Sequence, residues 1–255
     1  MPPRIAIPMP HSTDREYSER AIPQYERAVL LAGGEPVRIA LDEAPVQIEE
    51  LIEHCSGVLL PGSKADVDPA RFRQQKSQHT ANADLKREAV DDLLLADAYA
   101  HRKPVLGICY GLQSLNVFRE GSLIQHIPDF LPEQTRAKVN HEAGKKVAVA
   151  HSVEVDSVSK LFGIVTSKSP RKEVRSPLLV PVNSSHHQSG ADAGQGLRVV
   201  ARCPDDGIVE ALEGTESDHF VLAVQWHPER STEDPVSRNI FGALIEAAGR
   251  RSDGH

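Results

Sequence analysis

The chain has 255 residues, with 40% hydrophobic and 25% charged residues and a net charge of −7. This excludes a disordered polyelectrolyte, and the acidic balance offers no basic footprint for nucleic acid. Three scattered cysteines, Cys55, Cys109 and Cys203, exclude a disulfide framework and argue against a structural zinc site.

Free thiols suit a reducing cytoplasm, and the N-terminus lacks the apolar core of a signal peptide. No apolar run approaches the ~18 residues of a membrane span. The expected location is therefore cytoplasmic, with neither a membrane nor a nucleic-acid partner. No repeat or low-complexity linker divides the chain, which reads as a single domain over 1–255.

In chain order, Arg4–Met9 predicts a short apolar strand. Ser18–Leu31 predicts a helix that stops at Gly33-Gly34 and is irregular at Pro23. Pro36–Ala40 and Gly57–Leu60 predict strands on either side of a short helix over Val46–His54. Ser63–Ala83 is polar and unpatterned, as a long loop is. Asp84–Arg102 predicts a helix with Leu85, Ala89, Leu93 and Ala96 on one face. Pro104–Ile108 is a continuous apolar run, suited to a buried parallel strand, and a helix follows from Tyr110 to Arg119.

This alternation predicts a parallel sheet covered on both faces, a three-layer α/β/α arrangement. The second half is richer in β-structure. Strands are expected at Lys145–Val155, Gly196–Arg202, Ile208–Leu212 and Phe220–Gln225. An amphipathic helix over Phe241–Gly249 closes the chain, and Ser167–Arg175 reads as a basic, solvated turn.

The most informative segment is Gly107-Ile108-Cys109-Tyr110-Gly111, where a buried strand runs into a helix through G-x-C-x-G. It is the cysteine counterpart of the nucleophile elbow. A sharp turn requires small neighbours, and the following helix N-terminus favours thiolate over thiol. The Tyr110 amide would point toward an oxyanion formed at the sulfur. Attack on an amide also needs a proton shuttle to the leaving amine. Ala223-Val224-Gln225-Trp226-His227-Pro228-Glu229 offers one: an apolar strand ends at His227, and Glu229 reaches back to orient the imidazole. With twelve histidines in the chain, that pair alone is weak. Leu59-Leu60-Pro61-Gly62-Ser63 ends a strand in a glycine turn whose Gly62 amide could complete an oxyanion hole.

In order, P-G-S, G-I-C-Y-G-L-Q, V-N-S-S-H-H-Q and V-Q-W-H-P-E resemble a class I glutamine amidotransferase-type domain. Within that group the chain is most similar to free-standing γ-glutamyl hydrolases of the peptidase C26 type, including γ-glutamyl-γ-aminobutyrate hydrolases. The resemblance implies a flavodoxin-like, mostly parallel central sheet. It implies Cys109 as nucleophile, His227 as general base and acid, and Glu229 as the orienting acid. It further implies Gly62 and Tyr110 as oxyanion donors, and Gln113 and His186 beside the substrate; His187 receives no role. It calls for no cofactor and no metal. Related sequences often carry arginine after the nucleophile, so Tyr110 removes a cation expected there.

The expected function is hydrolysis of a small γ-glutamyl compound through a γ-glutamyl thioester. The alternative is a glutaminase subunit feeding ammonia to a synthetase on a separate chain, since no GxxxxGK[ST] is present here. A non-catalytic relative does not explain the complete Cys109, His227, Glu229 set. A chaperone with a cysteine elbow does not explain W-H-P-E. The sequence leaves a homodimer open. Lys64, Arg71, Arg73 and Lys76 in the Ser63–Ala83 loop are candidates to meet a leaving-group carboxylate, and Asn140–Lys146 is a candidate border of the cleft.

Overall fold

The computed structural model describes residues 1–167 and 177–252. The basic turn expected at Ser167–Arg175 falls almost wholly outside them.

Four strands lead the chain: β1 (Arg4–Pro8), β2 (Glu35–Ile39), β3 (Gly57–Leu60) and β4 (Val105–Ile108). Between and after them run α1 (Arg15–Leu31), α2 (Pro45–Glu53), α3 (Leu85–Ala100) and α4 (Tyr110–Phe118). β5 (Leu123–Ile124), α5 (Ile127–Phe130), α6 (Glu133–Arg136) and β6 (His151–Val155) come next. α7 (Lys160–Thr166), β7 (Leu178–Val182) and β8 (Ser189–Gly190) follow. β9 (Leu197–Arg202), β10 (Val209–Gly214), β11 (Val221–Val224) and α8 (Pro235–Ser252) complete the fold.

Nine strands form one mixed sheet in the order β2-β1-β3-β4-β11-β10-β9-β6-β7, and β5 pairs separately with β8. The first five neighbours are parallel, and the remaining four are antiparallel. The expected strand–helix alternation thus builds the parallel half, and the expected β-rich second half extends its edge. Successive residues of a strand face opposite ways and supply both cores. Ile5, Ile7, Leu106 and Ile108 pack under α1, α7 and α8. Ala6, Val58, Leu60 and Val105 pack under α2, α3 and α4.

Local chemistry explains the helix starts. Asp14 caps α1 by accepting from the Tyr17 amide, and Asp84 caps α3 by accepting from the Arg87 amide. α1 continues through Pro23, further than a proline-interrupted pattern suggests.

The buried face of α3 is not the expected one. Leu85, Ala89 and Ala96 are exposed and Leu93 only half-buried, while Arg87, Val90, Asp91, Leu94, Leu95 and Ala98 turn inward. An apolar-only pattern cannot see this, because the inward face carries a fully buried Arg87–Asp91 ion pair at 2.7 Å. The Ser63–Ala83 segment is also better ordered than a polar loop. It contains a 3-10 turn at Pro69–Phe72 and buries Ala65, Val67 and Phe72 against Tyr110. The strand expected from Lys145 begins only at His151, after a 3-10 turn at Ala143–Lys145. β7 carries Pro181 and occupies the sheet edge, the position where a strand tolerates a missing N–H. Among the described residues, no helix is long and apolar enough to cross a membrane.

Candidate active site

Three neighbouring strand ends open onto one cleft. β3 delivers Pro61–Ser63, β4 delivers Cys109 and β11 delivers Trp226–Glu229, all at the C-terminal edge where parallel sheets present ligand-binding groups. The cleft encloses about 430 Å³, a small-molecule volume.

Cys109 is the N-cap of α4, with φ 54° and ψ −105°, a strained backbone for a non-glycine residue. The flanking glycines make this turn feasible. A β-carbon on Gly107 would lie 2.8 Å from the Gly111 backbone, and one on Gly111 would lie 2.1 Å from the Leu60 carbonyl oxygen. The elbow thus brings strand and helix closer than any side chain permits. The first amides of α4 have no partner within the helix, and the Tyr110 amide is the first of them.

His227 and Glu229 meet as expected from their spacing. His227 Nδ1 lies 2.7 Å from Glu229 Oε1, and both side chains are buried. Burial pushes the imidazole down, but the charges of Glu229 and Cys109 outweigh it and raise His227 to about 9. Burial likewise pushes Glu229 up, yet the His227 charge holds it below the usual carboxylate range. Asn183 fixes the backbone from behind: its Oδ1 accepts from the His227 amide and its Nδ2 donates to the His227 carbonyl, each at 2.9 Å. Asn183 lies inside the V-N-S-S-H-H-Q segment, which was the only hint of this role.

Gly62 belongs to the same cluster. A β-carbon there would sit 3.1 Å from His227 Cε1 and 3.7 Å from Cys109 Cβ. Its amide, however, donates to the Tyr25 hydroxyl at 3.0 Å in a buried contact. The expectation that this amide serves the oxyanion is corrected here, because Tyr25 of α1 already occupies it. Nothing in the sequence ties Tyr25 to this turn. Ser63, the next residue, lines the cleft. Arg87 steadies the same turn by donating to the Pro61 carbonyl at 2.8 Å and to Pro10 at 3.1 Å.

Tyr110 turns its ring into the protein, 1% exposed, with the Arg87 guanidinium 4.9 Å from the ring centre. Arg87 lies beneath the ring but is bound to Asp91 and to backbone carbonyls, and it does not line the cleft. Gln113 is buried on the cleft wall. Its amide nitrogen donates to the Gln188 carbonyl and Gln225 Oε1, each at 3.3 Å.

The two adjacent histidines take different partners. His186 Nδ1 is turned to the Gln188 carbonyl at 2.8 Å, and its Nε2 lies 3.5 Å from Glu210 without a hydrogen bond. It lines the same cleft as His187. His187 is paired with Asp66 at 3.1 Å, and that hydrogen bond raises it above its ordinary value.

The expected basic loop supplies only part of the cleft's charge. Arg71 turns away to Asp92 at 2.5 Å, and Lys76 turns to Asn82. The cations lining the cleft are Arg20, Lys64, Lys145 and Arg230. Lys145 and Glu142 bear out the Asn140–Lys146 segment as a cleft border.

The comparisons with known proteins agree with this architecture. A Thermoplasma acidophilum protein, described as belonging to GMP synthase, superposes with a TM-score of 0.65 over 99% of this chain and 97% of its own, at 15% identity. That likeness supports a class I glutamine amidotransferase fold. The chain is 33% identical to the γ-glutamyl-γ-aminobutyrate hydrolase of Escherichia coli K12, covering 88% of this chain and 84% of that one. It is 30% identical to a glutamine amidotransferase-like protein of Rickettsia prowazekii, covering 88% and 87%. The family model for peptidase C26 matches residues 5–229. The chain belongs to the peptidase C26 family of glutamine amidotransferase-like hydrolases.

Proposed function

We propose that the protein hydrolyses the γ-glutamyl amide bond of a small, acidic γ-glutamyl compound through a thioester on Cys109. The observation that carries this reading is the alignment of an elbow cysteine, a histidine raised to about 9 and a buried carboxylate at 2.7 Å on adjacent strand ends.

The Cys109 sulfur attacks the γ-carbonyl carbon, forming a C–S bond as the carbonyl electrons move to oxygen. The resulting oxyanion faces the Tyr110 amide and the cleft-lining Ser63 turn, and each such donor contributes about 3 kcal/mol to barrier lowering. Collapse breaks the C–N bond, and the His227 imidazolium protonates the departing amine. Water then adds to the thioester with His227 as base, releasing glutamate and the free thiolate. Glu229 holds the ring in orientation throughout.

The cleft's composition supports the substrate class. Arg20, Lys64, Lys145 and Arg230 suit two carboxylates, with Lys64 exchanging Asp14 and Lys145 exchanging Glu142 for substrate, while Asp66, paired with His187, and Glu142 suit an ammonium group. A γ-glutamyl amine whose amine portion bears its own carboxylate matches this distribution. The similarity to the Escherichia coli γ-glutamyl-γ-aminobutyrate hydrolase supports the same class. The three free cysteines suit a reducing compartment, and we assign the chain to the cytoplasm.

The test compares γ-glutamyl-γ-aminobutyrate, an uncharged γ-glutamyl anilide and glutamine as substrates of the purified chain. We expect the acidic substrate to have the highest kcat/KM, and mass spectrometry of quenched reactions to find a γ-glutamyl adduct on Cys109. Preferential release of ammonia from glutamine would instead mark the chain as the glutaminase partner of a synthetase. An adduct on Cys55 or Cys203 would overturn the site.

A further inference from the structure

A second polar cluster lies inside the antiparallel half. His141 Nδ1, His151 Nε2 and His186 Nε2 surround Glu210 Oε1 at 3.1, 3.3 and 3.5 Å. All four side chains are at least nine-tenths buried, and these atoms lie within 4.8 Å of one another. None of the four has a hydrogen-bond partner, and neither does Glu210 Oε2.

The outer nitrogens determine what the inner ones carry. His141 Nε2 faces Asp206 Oδ2 at 2.8 Å, His151 Nδ1 faces the Ser152 carbonyl at 3.1 Å, and His186 Nδ1 faces the Gln188 carbonyl at 2.8 Å. Carbonyls only accept, and an ionised carboxylate only accepts, so each outer nitrogen is an N–H donor. In the neutral rings, each inner nitrogen then presents a lone pair. With the rings neutral, three lone pairs and a carboxylate oxygen converge, and burial makes such mutual repulsion costly unless a cation sits among them.

We propose that these four groups bind one Zn²⁺ ion, and that it serves as a structural staple. Tetrahedral zinc bonds of about 2.0–2.1 Å set neighbouring ligand atoms roughly 3.3 Å apart. The three N···O separations bracket that value. The rings fan out around the common point, with interplanar angles of 71° and 50°. Three imidazoles and a carboxylate match the ligand preferences of zinc, and four protein ligands leave no open position for chemistry. The outer acceptors are the orienting partners that zinc-bound imidazoles use. A dication also balances the buried charges of Glu210 and Asp206.

The staple would order a stretch that has little else to hold it. Residues 140–150 bury few apolar side chains, with Val147 and Val149 exposed. Backbone bonds from Gly144 to Ser184 at 2.8 Å and from His186 to His141 at 3.0 Å tie this stretch to the 183–188 turn. That turn carries Asn183 against His227 and His187 into the cleft. Cys203 stands beside His141 and Asp206 as well. The scarcity of cysteine argued against structural zinc, but it bears only on sulfur ligands.

Metal analysis of untagged protein, purified without chelator, tests the proposal directly. We expect one zinc per chain, lost in Glu210→Gln and in His151→Gln. Asp206→Asn should retain the site but weaken zinc affinity about 10- to 100-fold. Wild-type protein stripped with dipicolinate should show a lower Tm, restored by Zn²⁺ and not by Mg²⁺. Co²⁺ added to it should give the intense visible bands of a tetrahedral site. The wild-type measurements remain decisive if a variant fails to fold. Three results would overturn the proposal: metal-free purified protein whose Tm ignores Zn²⁺, stoichiometric iron or copper in place of zinc, or an octahedral Co²⁺ spectrum.

Discussion

In the parallel half of the sheet, the proposed catalytic groups stand at strand ends reached through short local turns, Cys109 after β4 and His227 after β11, with the Gly62 turn after β3 beside them. In the antiparallel half, the converging groups come from positions 141, 151, 186 and 210, and no two share a motif. A strained elbow is built by neighbours in sequence, because its glycines answer to the backbone of the same turn. A buried histidine–carboxylate cluster is built by strand pairing, which brings β6 and β10 together only through β9. The first kind of site announces itself in the sequence; the second becomes visible only after folding.

The largest effect that would sharpen this contrast is expected at the elbow. Cys109→Ala should lower turnover by about 10⁴-fold or more while leaving thermal unfolding nearly unchanged. Steady-state kinetics and calorimetry on the same preparation check both halves of the statement, and wild-type turnover in the variant would remove the site.

Glu229→Gln should lower kcat by about 10²- to 10⁴-fold, because His227 loses both its orientation and the charge that stabilises its proton. The sign of the pH dependence follows from the same pair. His227 is raised to about 9 in the folded protein, above its ordinary value near 6.5. Its contribution to stability is therefore fully present below about pH 6.5 and is lost as pH rises through about 9. Glu229 is lowered, so its contribution is lost as pH falls through its folded value. Denaturant titrations across pH should show the alkaline loss in wild type and a smaller one in Glu229→Gln. Equal alkaline slopes would refute the coupling.

Gly111→Ala tests the elbow's packing without touching a reacting group. The new methyl would meet the Leu60 carbonyl oxygen at 2.1 Å, so a destabilisation of about 3–5 kcal/mol is expected by urea unfolding. A change below about 1 kcal/mol would show that strand and helix separate more easily than this packing implies.

Zinc removal probes the other side of the comparison. Hydrogen exchange on stripped protein should lose protection at 140–151 and 183–188, with β1 to β4 unaffected. Uniform loss across the sheet would make the two halves one cooperative unit.

The smallest effect is expected at the cleft rim. Lys64→Ala should raise KM for an acidic γ-glutamyl substrate about three- to tenfold, since Lys64 lines the cleft although paired with Asp14. Arg71→Ala should leave KM unchanged, because that guanidinium faces Asp92 and Glu88. A matching rise in both would return the whole basic loop to substrate binding.

Much of the parallel half was legible. The strands at Gly57–Leu60 and Val105–Ile108 are uninterrupted apolar runs, and the elbow glycines follow from backbone contact alone. The face of α3 was misread because its inward side carries Arg87 and Asp91, whose pairing no apolar period reveals. His186 and His187 are adjacent in sequence yet turn to different partners, Glu210 and Asp66. Both line the cleft, and only the path of the 183–188 turn sets their partners apart. Gly62 stands beside Cys109 as expected, but its amide is taken by Tyr25, a residue 37 positions away.

The sequence by itself determined the α/β architecture, the family and the order of the Cys109, His227 and Glu229 segments. Those features depend on short-range periodicity and on turns whose steric demands are local. Tertiary structure decided which amide is spent, which cations line the cleft and which histidines converge on Glu210. Those depend on side chains meeting across strands and loops far apart in the chain, where burial strips away water and leaves each polar group to find its partner within the protein.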